Sequence, residues 1–355
     1  MEFGSMVQNS WLKQGKLTSP KAWIVLSLLI VLLAVAVCYA LLSGSANIPV
    51  KQLIGLEPMT DEINRYIIKE IRMPRILLAI ITGMSLAVAG VVMQVLLKNP
   101  LASPFTLGVS SGASFGAALA IVLGTSIFGM DLVASGKWLI AFNAFFFGCI
   151  SVFIVYGIAT IKNGSTTVLL LAGVAIGNLF SAGVSAMKYF SDNEALKNLV
   201  VWLMGGFWGA SWEVVYILAP LLTIGLLILL RLSWSFNSLN AGDEVAKTLG
   251  VNVKVLKIGS LLLVTLLASS SIAFVGIIGF IGLVAPHIGR MLVGVDYRFL
   301  IPVSSLLGAL ILLVSDTVAR TILAPIEIPV GIITSCIGAP FFIYILLQKK
   351  KDYWG

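Results

Sequence analysis

From Ile258 to Gly289 the chain runs 32 residues without an Asp, Glu, Lys or Arg. A run of this kind suits hydrocarbon, where every backbone amide must pair inside its own segment and a helix is the simplest solution. About 20 apolar residues cross the roughly 30 Å of a bilayer core, so this run is too long for one ordinary span. It is interrupted by Ser269-Ser270-Ser271 and by Gly276, Gly279 and Gly282. The reading is therefore span seven before Gly276 and span eight after it. The same pattern recurs along the chain. Ala22 to Val50 holds span one, and Ile76 to Leu97 is span two. Span three lies within uncharged Asn99 to Met130, Trp138 to Ile161 is span four and Val168 to Met187 span five. Val214 to Leu230 is span six, Phe299 to Arg320 span nine and Ile328 to Gln348 span ten. Only 11% of the 355 residues are charged, against about 25% in soluble domains. The fold class is all-α, a polytopic membrane protein of about ten transmembrane helices forming one domain over residues 22–348.

The charges that remain set its orientation. Ten spans put both termini on one side. That side collects 14 of the 23 Lys and Arg residues: those of the N-terminal tail, the turns at Lys98 and Lys162, the stretch from Arg231 to Lys257, Arg290, Arg298 and Lys349-Lys350-Lys351. The positive-inside rule makes it the cytoplasmic side of the membrane. Residues 1–5 read as a cloning scar and 6–21 and 349–355 as cytoplasmic tails. The apolar run from Trp23 could imitate a signal peptide. It is long, has no clear small-residue cleavage site and precedes many more spans, so it reads as a retained helix. The net charge of +8 is scattered between spans, which argues against nucleic-acid binding. Cys38, Cys149 and Cys336 lie in apolar runs and read as buried small hydrophobes. Lys51 to Arg75, with Ile63, Tyr66, Ile67 and Ile71 on one side, predicts a short surface helix. The aromatic, Gly-rich Trp202 to Trp208 is expected at the membrane interface.

The stretch Ser238 to Lys257 is a polar island between apolar runs. Asn240 is a plausible N-cap, with Asp243 and Glu244 in the first turn, where carboxylates complement the helix dipole. Val245 and Leu249 share a face, and Gly250 sits where a left-handed cap would close the helix. A loop that only reversed the chain would need fewer residues. The stretch reads as a docking surface for a soluble partner, or else as an amphipathic connector. Other features have plainer readings. Gly108-Val109-Ser110-Ser111-Gly112 matches G-x-S-x-G, but nucleophile chemistry needs a strand-turn-helix context and a His base. Close helix packing fits the small residues better. His287, the single histidine, cannot make a multi-histidine metal site alone, and no metal site is expected. With Pro286 and Arg290 it reads as the end of span eight. Asp316 and Arg320, one turn apart, read as a neutralised pair near the outer surface rather than a proton relay. There is no G-x-x-x-x-G-K-[ST], so any ATP that drives the protein is bound by another chain.

A set of ordered motifs resembles the FecCD family of ABC importer permeases. They are Arg72-Met73-Pro74-Arg75, Asn99-Pro100-Leu101-Ala102, Leu107 to Ala113, Leu171-Ala172-Gly173 and Trp202-Leu203-Met204-Gly205. Further along come Gly242-Asp243-Glu244 with Leu249-Gly250-Val251, Gly279 to His287, Ala319-Arg320, Glu327 to Gly331 and Gly338-Ala339-Pro340-Phe341. Ala273-Phe274-Val275-Gly276 departs from many relatives and leaves the core motif intact.

The resemblance implies a type II importer, similar to the vitamin B12, haem and iron-siderophore permeases. Two permease subunits, identical or paralogous, would enclose a path. Two ATPase subunits would dock below, and an extracytoplasmic binding protein would deliver the substrate. This chain would bind no cofactor and catalyse nothing, with ATP and Mg held by the partner ATPase. The ATPase-docking loop maps to residues 233–257, with Gly242, Asp243, Glu244, Leu249 and Gly250 in coupling. Arg72, Arg75 and Arg320 match the outer arginines that meet the binding protein. The cytoplasmic gate maps to Asn99, Leu101, Ser165 and Thr166. Ferric siderophore is the first substrate expected, with haem and cobalamin open. An ion-coupled secondary carrier is the competing class, but such carriers keep ionisable groups at mid-membrane, where most of these spans have none.

Overall fold

The computed structural model of the chain describes residues 19–44, 62–124, 132–161 and 166–347. Among these residues every regular element is helical. In order they are α1 (Ser19–Leu42), α2 (Glu62–Leu96), α3 (Val109–Leu123), α4 (Leu132–Ile161), α5 (Thr166–Phe190) and α6 (Asn193–Met204). There follow α7 (Trp212–Arg231), α8 (Ser233–Ala241), α9 (Asp243–Thr248), α10 (Val253–Val275), α11 (Ile281–Val293), α12 (Tyr297–Thr321) and α13 (Val330–Leu347). Seven are long and apolar enough to cross a bilayer, and α3, α11 and α13 are shorter apolar helices. The expected scar, residues 6–18 of the N-terminal tail, the C-terminal tail and Ser165 lie outside the described residues, while residues 19–21, expected in that tail, already belong to α1.

The bundle is organised around α2. Some 83% of its most apolar window is buried inside the protein, against 11% for α1. Helix α2 packs against α12, α10 and α11. Small residues permit the approach. A Cβ on Gly83 would lie 2.3 Å from the carbonyl oxygen of Gly308, and one on Gly90 only 1.9 Å from that of Gly282. Such backbone contact replaces the hydrophobic drive that spans lack in lipid. By contrast α1 lies at the edge of the bundle. It leans on α12 through Trp23, whose ring meets Phe299 edge-on at 6.0 Å, and turns Ile24, Leu28 and Val35 outward.

Four expectations change. The surface helix and span two are one helix, because α2 runs unbroken from Glu62. Pro74 has no N–H to donate one turn back, and its ring crowds that carbonyl. The backbone adjusts by widening into a π turn over Ile67–Arg72, with the Met73 N–H donating to Ile68 O. The segment Trp202 to Trp208 is not simply interfacial. Gly205, Gly206 and Phe207 are buried against the break between α10 and α11, where Gly206 N–H donates to Val275 O at 2.8 Å. That break, at Gly276 with φ +72, falls where the sequence divides the long run, and its irregular backbone is sheltered by protein, as hydrocarbon requires. Helix α11 continues past His287 to Val293, so the histidine lies inside the helix, its ring 6.4 Å from that of Phe341. Finally, Cys38 and Cys336 are exposed on their helices and Cys149 is half-buried, with no disulfide. Lipid tails are as apolar as a core, so a cysteine in a span need not face inward.

Candidate functional site

Helices α2 and α12 run antiparallel, and each end of the pair carries a polar cluster. At the start of α2 and the end of α12, Arg72, Arg75 and Arg320 come together and are all buried. Arg75 grips two carboxylates. Its Nη2 lies 2.9 Å from Asp316 Oδ1, with Nε also donating to Asp316 at 3.1 Å. Its Nη1 donates to Glu327 Oε2 at 2.9 Å. Arg320 Nε lies 3.2 Å from Asp316 Oδ2, and its other nitrogens reach the carbonyls of Ser43 and Ala40. Arg72 donates to Leu41 O at the end of α1. The three arginines, Glu327 and Gly44 line a small cavity of about 210 Å³. Asp316 and Arg320 do pair, as their spacing suggests. A freely projecting arginine rim is not what this chain presents, because the guanidinium groups turn inward onto carboxylates and helix-end carbonyls. Sequence reasoning missed Glu327 and Asp316 as the two partners of Arg75. They stand 252 and 241 residues from their contacts, and no local spacing signals them.

At the opposite end, between α7 and α10, the polar island folds as two helices rather than one. Asn240 falls in the last turn of α8, so it is not an N-cap; its side chain is 3.5 Å from Tyr297 Oη. Gly242, at φ +133, starts α9 instead. The polar side of α8 is used up on α12, where Asn237 donates to Asp296 Oδ1 and accepts from Tyr297 N–H, both at 2.9 Å. Helix α9 ends in a Schellman cap. Gly250 N–H donates to Lys247 O and Val251 N–H to Ala246 O, with Gly250 at φ +81. Val245 and Leu249 are left outward, Leu249 65% exposed. Glu244 pairs along its own helix, with Lys247 at 2.8 Å.

Asp243 does more. Its carboxylate lies 2.6 Å from Lys257 Nζ on α10 and 2.9 Å from Lys98 Nζ after α2. Burial pushes this carboxyl up, but the two ammonium groups outweigh burial and hold it below the usual carboxylate value. Next to Lys98, Asn99 Oδ1 accepts from Leu101 N–H at 2.9 Å, closing a turn that leaves Leu101 exposed. Thr166 begins α5, half-buried.

Two further observations bear on function. Helix α5 packs on α3 and α4 with one side only and turns Leu171, Asn178, Ser181 and Ser185 outward. A polar stripe on the outer face of a span was not anticipated. It emerges only when the helix is placed, since its residues are neither charged nor clustered in sequence. The G-x-S-x-G stretch forms a helix start, Gly108 at φ +78 preceding α3. A Cβ on Gly112 would lie 2.4 Å from Phe147 O. This is helix packing, with no strand at the turn.

Residues 32–348 match the profile of the FecCD transport family. An ABC transporter permease protein of Methanocaldococcus jannaschii is 44% identical over 95% of this chain and 97% of its own length. The hemin transport system permease protein HmuU of Yersinia pestis is 37% identical over 94% and 98%. Other similar proteins are named for import of Fe(3+)-citrate, siderophore, cobalamin and molybdate. Among solved structures, a metal-chelate type ABC transporter in an inward-facing conformation superposes with a TM-score of 0.81 at 35% identity, covering 93% of this chain and 100% of that one.

Proposed function

The chain belongs to the FecCD transport family, and from that premise we propose that it is the membrane-spanning subunit of an ABC importer for a ferric siderophore. The coarser role, an ABC importer permease for metal chelates, is supported by the family match and by the metal-chelate type transporter it superposes on. The siderophore is the finer step. It rests on the iron cargoes named for similar proteins, hemin, Fe(3+)-citrate and siderophore among them. Haem and cobalamin are the alternatives.

The observation that carries the reading is α9. A six-residue helix, capped at its end and holding Val245 and Leu249 in solvent, fits a groove on a soluble ATPase subunit. Its exposed apolar pair supplies the contact, and Asp243 ties it to α10 and to the turn after α2. We assign that end of the bundle to the cytoplasm. Nucleotide-driven movement of α9 would open or close the gate at Asn99, Leu101, Ser165 and Thr166. The outward stripe on α5 fits a second permease subunit, whose matching helix would enclose with it a path of small polar and apolar groups. On the outer side, a binding protein would offer carboxylates to Arg72, Arg75 and Arg320. None of these steps makes or breaks a covalent bond in this chain; ATP and Mg act on the partner.

The test is uptake into proteoliposomes holding the permease, its ATPase subunits and its binding protein. Radiolabelled ferric hydroxamate, ferric citrate, haem and cobalamin are offered in parallel. ATP-dependent accumulation of the ferric hydroxamate above the others is expected. Preference for haem or cobalamin would replace the siderophore assignment, and uptake driven by an ion gradient without ATP would remove the importer reading.

A further inference from the structure

We infer that Lys98 is the positioning residue through which α9 moves the Asn99–Leu101 turn. The inference rests on the reading of α9 as the ATPase-docking element and adds the part that would carry its motion.

One carboxylate joins three elements. Asp243, the first residue of α9, holds Lys257 on α10 with one oxygen and Lys98 after α2 with the other. The Lys257 contact anchors α9 to the span that follows it. The Lys98 contact reaches a separate part of the chain, at the foot of the most buried helix. A half-exposed ion pair adds little stability by itself, so its interest lies in where it is placed.

The backbone at Lys98 makes that placement specific. Asn99 N–H donates to Gln94 O and Lys98 N–H to Val95 O, the bond pair of a Schellman cap. Lys98 thus holds the left-handed cap position, with φ +46. Glycine is the default there, and a residue with a Cβ is strained. At the cap of α9 the equivalent position is Gly250. The fold keeps a lysine where glycine fits better, and that lysine's ammonium lies on the docking helix. The following turn is stiff. Asn99 Oδ1 accepts from Leu101 N–H, and Ala102 N–H donates to Asn99 O at 3.1 Å. Displacement of Lys98 therefore carries Leu101, which is 44% exposed, with it.

Lys98→Gly separates this role from a structural one, because it removes the ammonium while relaxing the cap. Lys98→Arg keeps the charge. Both are made in the full transporter, with Leu101→Cys as reporter and Cys38, Cys149 and Cys336 replaced by serine. The readouts are the melting midpoint, retention of the ATPase subunits and the change in maleimide labelling of position 101 when ATP and Mg are added. In Lys98→Gly the midpoint should hold or rise and the ATPase should stay bound. The nucleotide-dependent labelling change should shrink at least about five-fold, the lower end for coupling between two sites. Lys98→Arg should stay near the reporter background. A full labelling change in Lys98→Gly, a fall in its midpoint together with labelling, or an equal loss in Lys98→Arg would each overturn the inference. Failure of the ATPase to bind the background protein, or labelling that ignores nucleotide there, would instead sink the docking and gate readings beneath it.

Discussion

Replacing Asp316 by asparagine tests the arginine cluster most directly. The Asp316 side chain is 0% exposed and takes contacts from two guanidinium groups, Arg75 at 2.9 Å and Arg320 at 3.2 Å. Asparagine has nearly the same shape, so packing is preserved. What is lost is the charge. Two buried guanidinium groups would then share the single carboxylate of Glu327, and an amide NH2 would point at one of them. Breaking a buried ion pair by removing one partner costs about 3–5 kcal/mol. Glu327 provides the internal control. It touches the same Arg75, but its side chain is 35% exposed, and a water-screened pair contributes under about 1 kcal/mol. At roughly 2 °C per kcal/mol for a long chain, the midpoint should fall about 6–10 °C for Asp316→Asn and under about 2 °C for Glu327→Gln. Detergent-solubilised protein, heated and followed by size-exclusion chromatography, gives both numbers. Changing Arg320 to Met together with Asp316→Asn should recover part of the loss by restoring charge balance. Equal shifts for the two single variants, or a larger one for Glu327→Gln, would refute the claim that burial makes Asp316 the keystone.

Gly90→Ala places a methyl 1.9 Å from Gly282 O and should lower the yield of folded protein, with an overpacking penalty of about 1–3 kcal/mol or more, whereas Gly157→Ala, whose Cβ would meet nothing within 4 Å, should be neutral or slightly stabilising in the same melting assay. Leu249→Glu should abolish co-purification of the ATPase subunits without moving the melting midpoint, since the side chain packs on little of its own chain. Asp243 has its carboxyl held below the usual value, so the stability it contributes is fully present above the unfolded value of about 3.9 and is lost as pH falls through the lower folded one. The midpoint difference between wild type and Asp243→Asn should therefore be constant from about pH 8 to 5 and shrink only below about pH 4.

The spans were legible because the bilayer simplifies the code. Charge-free length alone located α1, α2, α4, α5, α7, α10 and α12, and three glycines in one long run located the break before α11. Where helices start was harder. Composition cannot tell a surface helix feeding a span from a separate helix, since both read as amphipathic; the outcome at Ile67–Arg72 depends on how one proline's missing N–H is absorbed. The polar island shows the same limit. Its last turn was readable, because only glycine sits easily at φ +81. Its beginning was not, because Asn240 has two possible uses, and the pairing of α8 with Asp296 and Tyr297 decided between them.

The arginines raise a different question, because position along a span and direction around it are separate pieces of information. Sequence spacing puts Arg72, Arg75 and Arg320 at the same depth, and they are at the same depth. It does not reveal that two acids already occupy Arg75 and Arg320, or that Arg72 turns onto the Leu41 carbonyl. That changes what the proposed docking at this end would require. A carboxylate arriving from a binding protein would meet arginines that are already engaged. It would have to enter a cavity of about 210 Å³ and compete with Glu327, the more exposed of the two resident acids. Exchange of one carboxylate for another gains little free energy, since the guanidinium is satisfied before and after. Binding strength then has to come from contact area around the cavity. Charge at this end would govern approach and register, with most of its effect on the association rate and on salt dependence. Reversing Arg72 and Arg320 to glutamate would disturb the buried network as well as docking. The milder Glu327→Gln, which leaves Asp316 in place, is the cleaner probe. It should speed association of the binding protein and steepen its salt dependence while barely moving the melting midpoint; an unchanged association rate at low salt would mean that these arginines serve only to hold α1, α2 and α12 together.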